Sequence, residues 1–352
     1  MTESSRTGKR RWLGNFTAVA VSLLVTLLAV EGVVRLWESR RTESAGDRPL
    51  FYYKPPGNMG MMDAEYPLEK EPGTYRIVGL GDSITFGLHV QYDDVFLKRL
   101  ERMLNLSGSA RKAEVINLAQ PGLSTLQEVI DLQRALEYDP DLVILGYCLN
   151  DTELKLLRET GKIRPQGWQG QFGPKEFSGW EARLAGIWHT WELFSTRLHN
   201  RRTKSEYVAY FQRLYDDDYS GWRKTKQALK EMARICRHRK IPLVVVVFPL
   251  IGLPMNERDY PFLEIHEKVA GACRKLKLPC LDLFATFRGR PLERLQVVPG
   301  EDRHLSEISH RLVAEAIYLH LLKEELIPAE LAIGLTTDMR VIKEYRPSYR
   351  LP

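Results

Sequence analysis

The sequence predicts an α/β protein, a parallel sheet covered by helices on both faces, preceded by one amino-terminal transmembrane helix. Three observations carry this. From Tyr75 onward, short apolar runs alternate with amphipathic stretches, the pattern of strands joined by crossover helices. The run "IPLVVVVF" offers no polar position to water, as a strand buried on both faces requires. And "LGNFTAVAVSLLVTLLAV", from Leu13 to Val30, carries no charge over about the 18 residues at which a spanning helix becomes the expectation.

The amino-terminal run is flanked by Trp12 and Trp37, placed like interfacial anchors, and preceded by Arg6, Lys9, Arg10 and Arg11. Basic residues before a span keep the short end in the cytoplasm. The expectation is a single-pass membrane protein with residues 1–12 cytoplasmic, 13–36 spanning, and the remainder, including the α/β domain, periplasmic or otherwise extracytoplasmic. Glu31 falls at the exit, where a charge costs little. A cleaved signal peptide is the rival. Its apolar core is usually shorter and ends in a small-x-small site, and "LLAVEGVVRLW" contains none. Residues 37–72, rich in Pro, Gly and Tyr, read as a stem.

The elements then follow in order. "YRIVGL" is a strand, and "DVFLKRLERML" a helix with Phe96, Leu100 and Met103 or Leu104 on one face. "AEVINLA" is a strand, "TLQEVIDLQRAL" a helix and "DLVILGY" a strand. After a long interval come helix 221–239, strand "IPLVVVVF", helix 260–276, strand "LPCLDLF" and a last helix from about Ser306 to Leu322. These elements span a domain over 73–325, with 326–352 a carboxy-terminal arm. Residues 152–217 interrupt the rhythm with Trp168, Phe172, Trp180, Trp188, Trp191 and Phe194 and a basic cluster at Arg197, Arg201, Arg202 and Lys204. They read as a cap-like insertion over the site, touching lipid in one version, or equally as a helical elaboration with its own small core. "YDDDYSGW" at 215–222 reads as capping of a helix start rather than a calcium loop.

At 352 residues the chain can bury a sizeable core. Its net charge of +6 suits a protein near an anionic surface, but no motif that reads RNA or DNA accompanies it, and no nucleic-acid partner is expected. Cys148, Cys236, Cys273 and Cys280 form no C-x-x-C pair, which argues against zinc; no metal is expected. Buried free thiols or a disulfide among the last three are both open.

Candidate chemistry gathers in the loops after strands, where ligands of such sheets collect. The first strand opens into "GLGDSITFG", with Ser83 at its tip. Asp-Ser-x-Thr also makes good caps and turns, so this motif alone is weak. The next loops contribute "NLAQPGLST", with Asn117 and Gly122, then "CLND", with Asn150 and Asp151, then "GEDRHLSEISH", with Asp302 and His304. A serine hydroxyl attacks carbonyls poorly until a base takes its proton. His304 is placed to be that base, and Asp302 or Glu301 to orient it. Asp302 is favoured: in an extended stretch, residues two apart point the same way. A tetrahedral oxyanion needs donors, and the Ser83 amide, the Gly122 amide and the Asn150 side chain are the candidates. Asp82 and Asp151 read as loop braces, His89 as structural or pocket-lining, and His310 as a packing or capping residue.

This set resembles the SGNH, or GDSL-type, hydrolase superfamily over roughly residues 73–325, the insertion excepted. "GDSIT" matches its serine block, Gly122 its glycine block, "ND" its asparagine block and His304 its histidine block, in the family's order. The resemblance implies a flavodoxin-like three-layer α/β/α fold and no cofactor. It further implies hydrolysis or transfer of acyl groups through Ser83, with His304 as base. Two positions depart from the family. Cys148 stands two residues before Asn150, where glycine is usual, and should narrow the pocket. The usual acid lies three residues before the histidine, which is Glu301. The expected activity is that of a serine esterase or O-acyl hydrolase on an acylated lipid or glycan. An O-acyltransferase with a sugar hydroxyl as acceptor, and a non-catalytic lipid- or glycan-binding module, are the alternatives.

Overall fold

The computed structural model describes residues 3–39, 63–106, 108–153, 156–157, 163–164, 177–298 and 302–332. Most of the expected stem, much of the insertion including Trp168 and Phe172, Glu301 and most of the carboxy-terminal arm therefore lie outside the described residues. The chain divides into two units, one of residues 1–49 with 171–205, the other of 50–170 with 206–352.

The second unit carries the sheet. Strands β1 (Thr74–Gly81), β2 (Lys112–Asn117), β3 (Leu142–Cys148), β4 (Leu243–Phe248) and β5 (Cys280–Asp282) are all parallel, in the order β2-β1-β3-β4-β5. That is the flavodoxin-like order, and it confirms the fold class expected from the sequence. β1, β3 and β4 are buried along their whole length, as the unbroken apolar runs of β3 and β4 require; β1 buries Arg76 as well, paired with Glu114 at 2.7 Å. The crossovers include α3 (Phe96–Asn105), α4 (Thr125–Glu137), α7 (Ser220–Arg239) and α8 (Leu263–Lys275), and the last long helix is α9 (Glu307–Lys323). On α3 the expected face is buried: Phe96, Leu100, Met103 and Leu104 are all at most 2 % exposed.

Packing of this unit reaches back to Asp63. Its carboxylate is buried and accepts from the Lys98 ammonium at 3.1 Å, the Tyr92 hydroxyl at 3.0 Å and the Asn117 amide at 2.7 Å. Burial alone would lower the Lys98 pKa; Glu101 and Asp63 outweigh it and push it up to about 12. The cluster joins α3 to the end of β2 beneath the carboxyl edge of the sheet.

The sequence placed His304 in a loop directly after the fifth strand. Instead, β6 (Gln296–Val298) and β7 (Asp302–Leu305) form a short antiparallel pair, and His304 sits on β7. The polar run "GEDRHLS" hides the strand because its alternation lasts only four residues. The acids of "YDDDYSGW" do not occupy the cap position of α7: Tyr219 holds it, with no side-chain cap bond, and Asp217 pairs with Lys226 at 3.3 Å.

The first unit contains α1 (Glu3–Ser39), α5 (Gly179–Ile187) and the start of α6 (His189–Leu214). Within α1, Asn15–Trp37 is a 23-residue stretch of mean hydropathy 2.2, long and apolar enough to cross a membrane. Residues 206–214 of α6 belong to the second unit, where Tyr207 and Phe211 pack on Phe262 at 5.8 Å between ring centroids.

Candidate active site

β1 ends in Gly81, and α2 (Ser83–Phe86) begins immediately after Asp82. The Asp82 carboxylate caps this turn by accepting from the Ile84 amide at 2.9 Å, so it braces the loop as expected. Ser83 thus holds the first position of a helical turn, where the amide has no carbonyl four residues back to bond. Two glycines around Thr85, Gly81 and Gly146, have a steric reason. A Cβ on Gly81 would lie 2.3 Å from Thr85 Oγ1, and one on Gly146 in β3 would lie 2.0 Å from the same atom. Thr85 is wedged between the two strands, and only glycines let it sit there. Asn117 holds the turn from the other side, donating from Nδ2 to the carbonyls of Thr85 at 3.1 Å and Phe86 at 3.3 Å. Its role is to fix α2, a function the sequence did not reveal.

His304 reaches this turn from β7. Its Nε2 is 3.1 Å from Ser83 Oγ, a hydrogen-bond distance between residues 221 apart in sequence. Both side chains are half-buried. Strand pairing fixes the backbone on both sides of the histidine, and the Ser306 hydroxyl caps α9 two residues later, accepting from the Ser309 amide at 3.3 Å. Asp302 is the first residue of β7, two positions before His304 on extended backbone. His89 lies beside the pair, its ring 5.6 Å from that of His304 and nearly perpendicular to it. His89 adopts φ +66, in the left-handed region, just past the α2 terminus.

The other two loops leave the same edge of the sheet. Gly122 adopts φ +83 in the turn after β2, a conformation L side chains rarely take. Asn150 follows β3, and its Oδ1 is buried with no hydrogen-bond partner among the described residues. Asp151 braces that loop by accepting from the Cys148 amide at 2.9 Å. The Tyr215 hydroxyl holds it from above, donating to the Leu149 carbonyl at 3.0 Å and meeting the Tyr147 hydroxyl at 2.7 Å. Cys148, the residue expected to narrow the pocket, is 4 % exposed at the end of β3. The four cysteines are free thiols, and the neighbouring Cys280 lowers the Cys273 pKa.

Arg303, beside the histidine, lies 5.7 Å from the Tyr207 ring on α6, a neighbour that the polar context of Arg303 did not advertise. His310 packs as expected. Its ring stacks on Phe96 and its Nδ1 accepts from the Phe96 amide at 3.1 Å. Burial, with the Arg99 and His304 charges, lowers its pKa to about 3. The folded His310 therefore stays neutral where the unfolded one, near 6.5, takes a proton. Its contribution to stability is complete above pH 6.5 and is lost as pH falls from there toward 3, at about 1.4 kcal/mol per pH unit. Urea titrations across that window should give a steeper loss for the native chain than for His310→Gln; equal slopes would refute the buried neutral ring.

Comparison with known proteins agrees with this geometry. Residues 80–312 match the family model described as GDSL-like Lipase/Acylhydrolase family. No curated protein matches the chain. Among solved structures, it is similar to TesA, with 15 % identity, 72 % of this chain and 99 % of that one covered, and a TM-score of 0.43. It is also similar to the lipase/acylhydrolase from Enterococcus faecalis, at 18 % identity, 71 % and 96 % coverage and a TM-score of 0.41. A third is the acetyl xylan esterase AlAXEase, at 15 %, 69 % and 98 %, with a TM-score of 0.42. These distant likenesses add nothing to the family match, which takes in the serine turn, both donor loops and the histidine strand. A hydroxyl and an imidazole brought into contact at the sheet edge, inside a match covering most of the chain, assign it: it belongs to the GDSL-like lipase/acylhydrolase family, serine hydrolases that act on esters.

Proposed function

We propose that the protein hydrolyses an acyl ester of a lipid or glycan through a covalent acyl-enzyme on Ser83. The observation that carries this is the 3.1 Å contact between Ser83 Oγ and His304 Nε2. His304 takes the hydroxyl proton as Ser83 attacks the ester carbonyl, then gives it to the leaving alcohol. Water, activated by the same imidazole, attacks the acyl-serine; its proton passes through His304 to the serine oxygen and the acid leaves. The oxyanion at each tetrahedral stage is held by the amides of Ser83 and Gly122 and by Asn150 Nδ2. The place of Asn150 just after β3, the strand paired with β1, supports that role. Asp302, or Glu301, orients His304. The contact of Tyr207 with Arg303 supports reading the end of the insertion as a cap.

Asn150→Ala should lower kcat on a short p-nitrophenyl ester by about 10²- to 10³-fold, the loss usual for one oxyanion donor. KM should change little, because the donor acts on charge that develops only in the transition state. A loss confined to KM would remove Asn150 from the oxyanion site.

We also propose that α1 is an uncleaved anchor that leaves the catalytic unit outside the cytoplasm. Support comes from the 23-residue apolar stretch and the basic residues before it. A phosphatase fused after Pro352 should be active in the periplasm of a bacterial host. A mature chain beginning near residue 32 would identify a cleaved signal instead.

A further inference from the structure

Resting on the reading of α1 as a membrane anchor, we infer that α5 and the first half of α6 form a foot lying in the outer lipid interface, clamped to α1 by Glu31 and Arg35. Glu31 is the one buried residue between positions 15 and 37 of α1. Its carboxylate accepts from the His189 amide at 3.0 Å, the Thr190 amide at 2.9 Å and the Thr190 hydroxyl at 2.7 Å. Those are the first amides of α6, which no carbonyl of their own helix can satisfy. Arg35, one turn further along α1, bonds Glu31 at 2.8 Å and donates from Nη2 to the carbonyl of Ile187, the last residue of α5, at 2.9 Å. An acid thus meets the positive end of one helix and a cation the negative end of the other. The two charges grip both sides of the α5–α6 break at Trp188.

Depth follows from the grip. Glu31 precedes Trp37 by six residues, about 9 Å at the helical rise. With Trp37 among the headgroups, the α5–α6 junction lies near the edge of the hydrocarbon. The surface of this foot fits that place. Trp180, Ile187, Phe194 and Leu198 are 60–73 % exposed, a cost in water that lipid removes. Trp180 and Ile187 are two turns apart on α5, and Phe194 and Leu198 one turn apart on α6, so each pair shares a helix face. Midway along, α6 carries Arg197, Arg201, Arg202 and Lys204, all exposed, suited to anionic headgroups. The occupant of the apolar face is therefore the same bilayer that α1 crosses.

The test uses the full chain with Cys280→Ser, leaving only buried thiols, in vesicles of phosphatidylcholine with phosphatidylglycerol. Nitroxide labels are placed singly at Leu23→Cys, Ile187→Cys, Leu198→Cys and Asp217→Cys. Collisions with oxygen, which concentrates in lipid, are compared with those of a nickel chelate confined to water. Labels at 23, 187 and 198 should favour oxygen and the label at 217 the chelate. Glu31→Ala should shift the reading at 187 toward that at 217 while 23 stays unchanged. Aqueous readings at 187 and 198 beside a lipid reading at 23 overturn the foot and leave the anchor standing. An aqueous reading at 23 overturns the anchor and the foot with it. An unchanged reading at 187 in Glu31→Ala overturns the clamp.

Discussion

Ser83→Ala is expected to abolish ester hydrolysis, lowering kcat by about 10⁶-fold while the chain still folds, as loss of the nucleophile does in serine triads. The fold should survive because the Ser83 side chain is half-buried and its hydrogen-bond partner among the described residues is His304. The packing that shapes the turn belongs to Thr85, Gly81 and Gly146, and its bracing to Asp82 and Asn117, none of which the variant touches. Removing the base should do equal damage: His304→Ala is expected to lose as much alone, and the double variant no more than either single, because the two act as one unit. The measurement is single-turnover acylation by an activated ester, with thermal melts of each variant. Retained acylation in folded Ser83→Ala would place the nucleophile elsewhere.

Asp302→Asn is expected to cost up to about 10⁴-fold in kcat with KM nearly unchanged, the effect of losing the carboxylate that orients a triad histidine. Asp302 and His304 are alternate residues of β7, and paired strand backbone keeps positions two apart on a common face. If Asp302 is the orienting acid, its short side chain fits the role better than a longer one, which would lose more rotamer entropy. Glu301→Gln should then lose only a few-fold. Separate kinetics on the two variants decide between the positions. A far greater loss in Glu301→Gln would assign the acid to the spacing usual in the family, and small losses in both would leave a Ser83–His304 dyad.

The pieces of this protein were legible where the signal is local. Strand and helix order can be read from periodicity, because a buried parallel strand must be apolar throughout and a covering helix must be apolar on one face only. The spanning segment follows from an uninterrupted run, and the four site loops from polar and glycine residues following strands. Tertiary structure decided the rest, through contacts between residues far apart in the chain. Gly146 of β3 owes its identity to Thr85 of "GLGDSITFG" pressed against it, a clash that no window on the sequence contains. Asn117 looks like any loop asparagine until it is seen bonding the carbonyls of α2. The strand carrying His304 exists because β6 pairs with it; three polar residues and a leucine have little tendency of their own to extend. Glu31 read as a charge tolerated at a membrane exit, and its meaning came from amides some 158 residues away that needed an acceptor. Local pattern encodes which element forms; which polar atoms it must satisfy is set by whatever the fold brings against it.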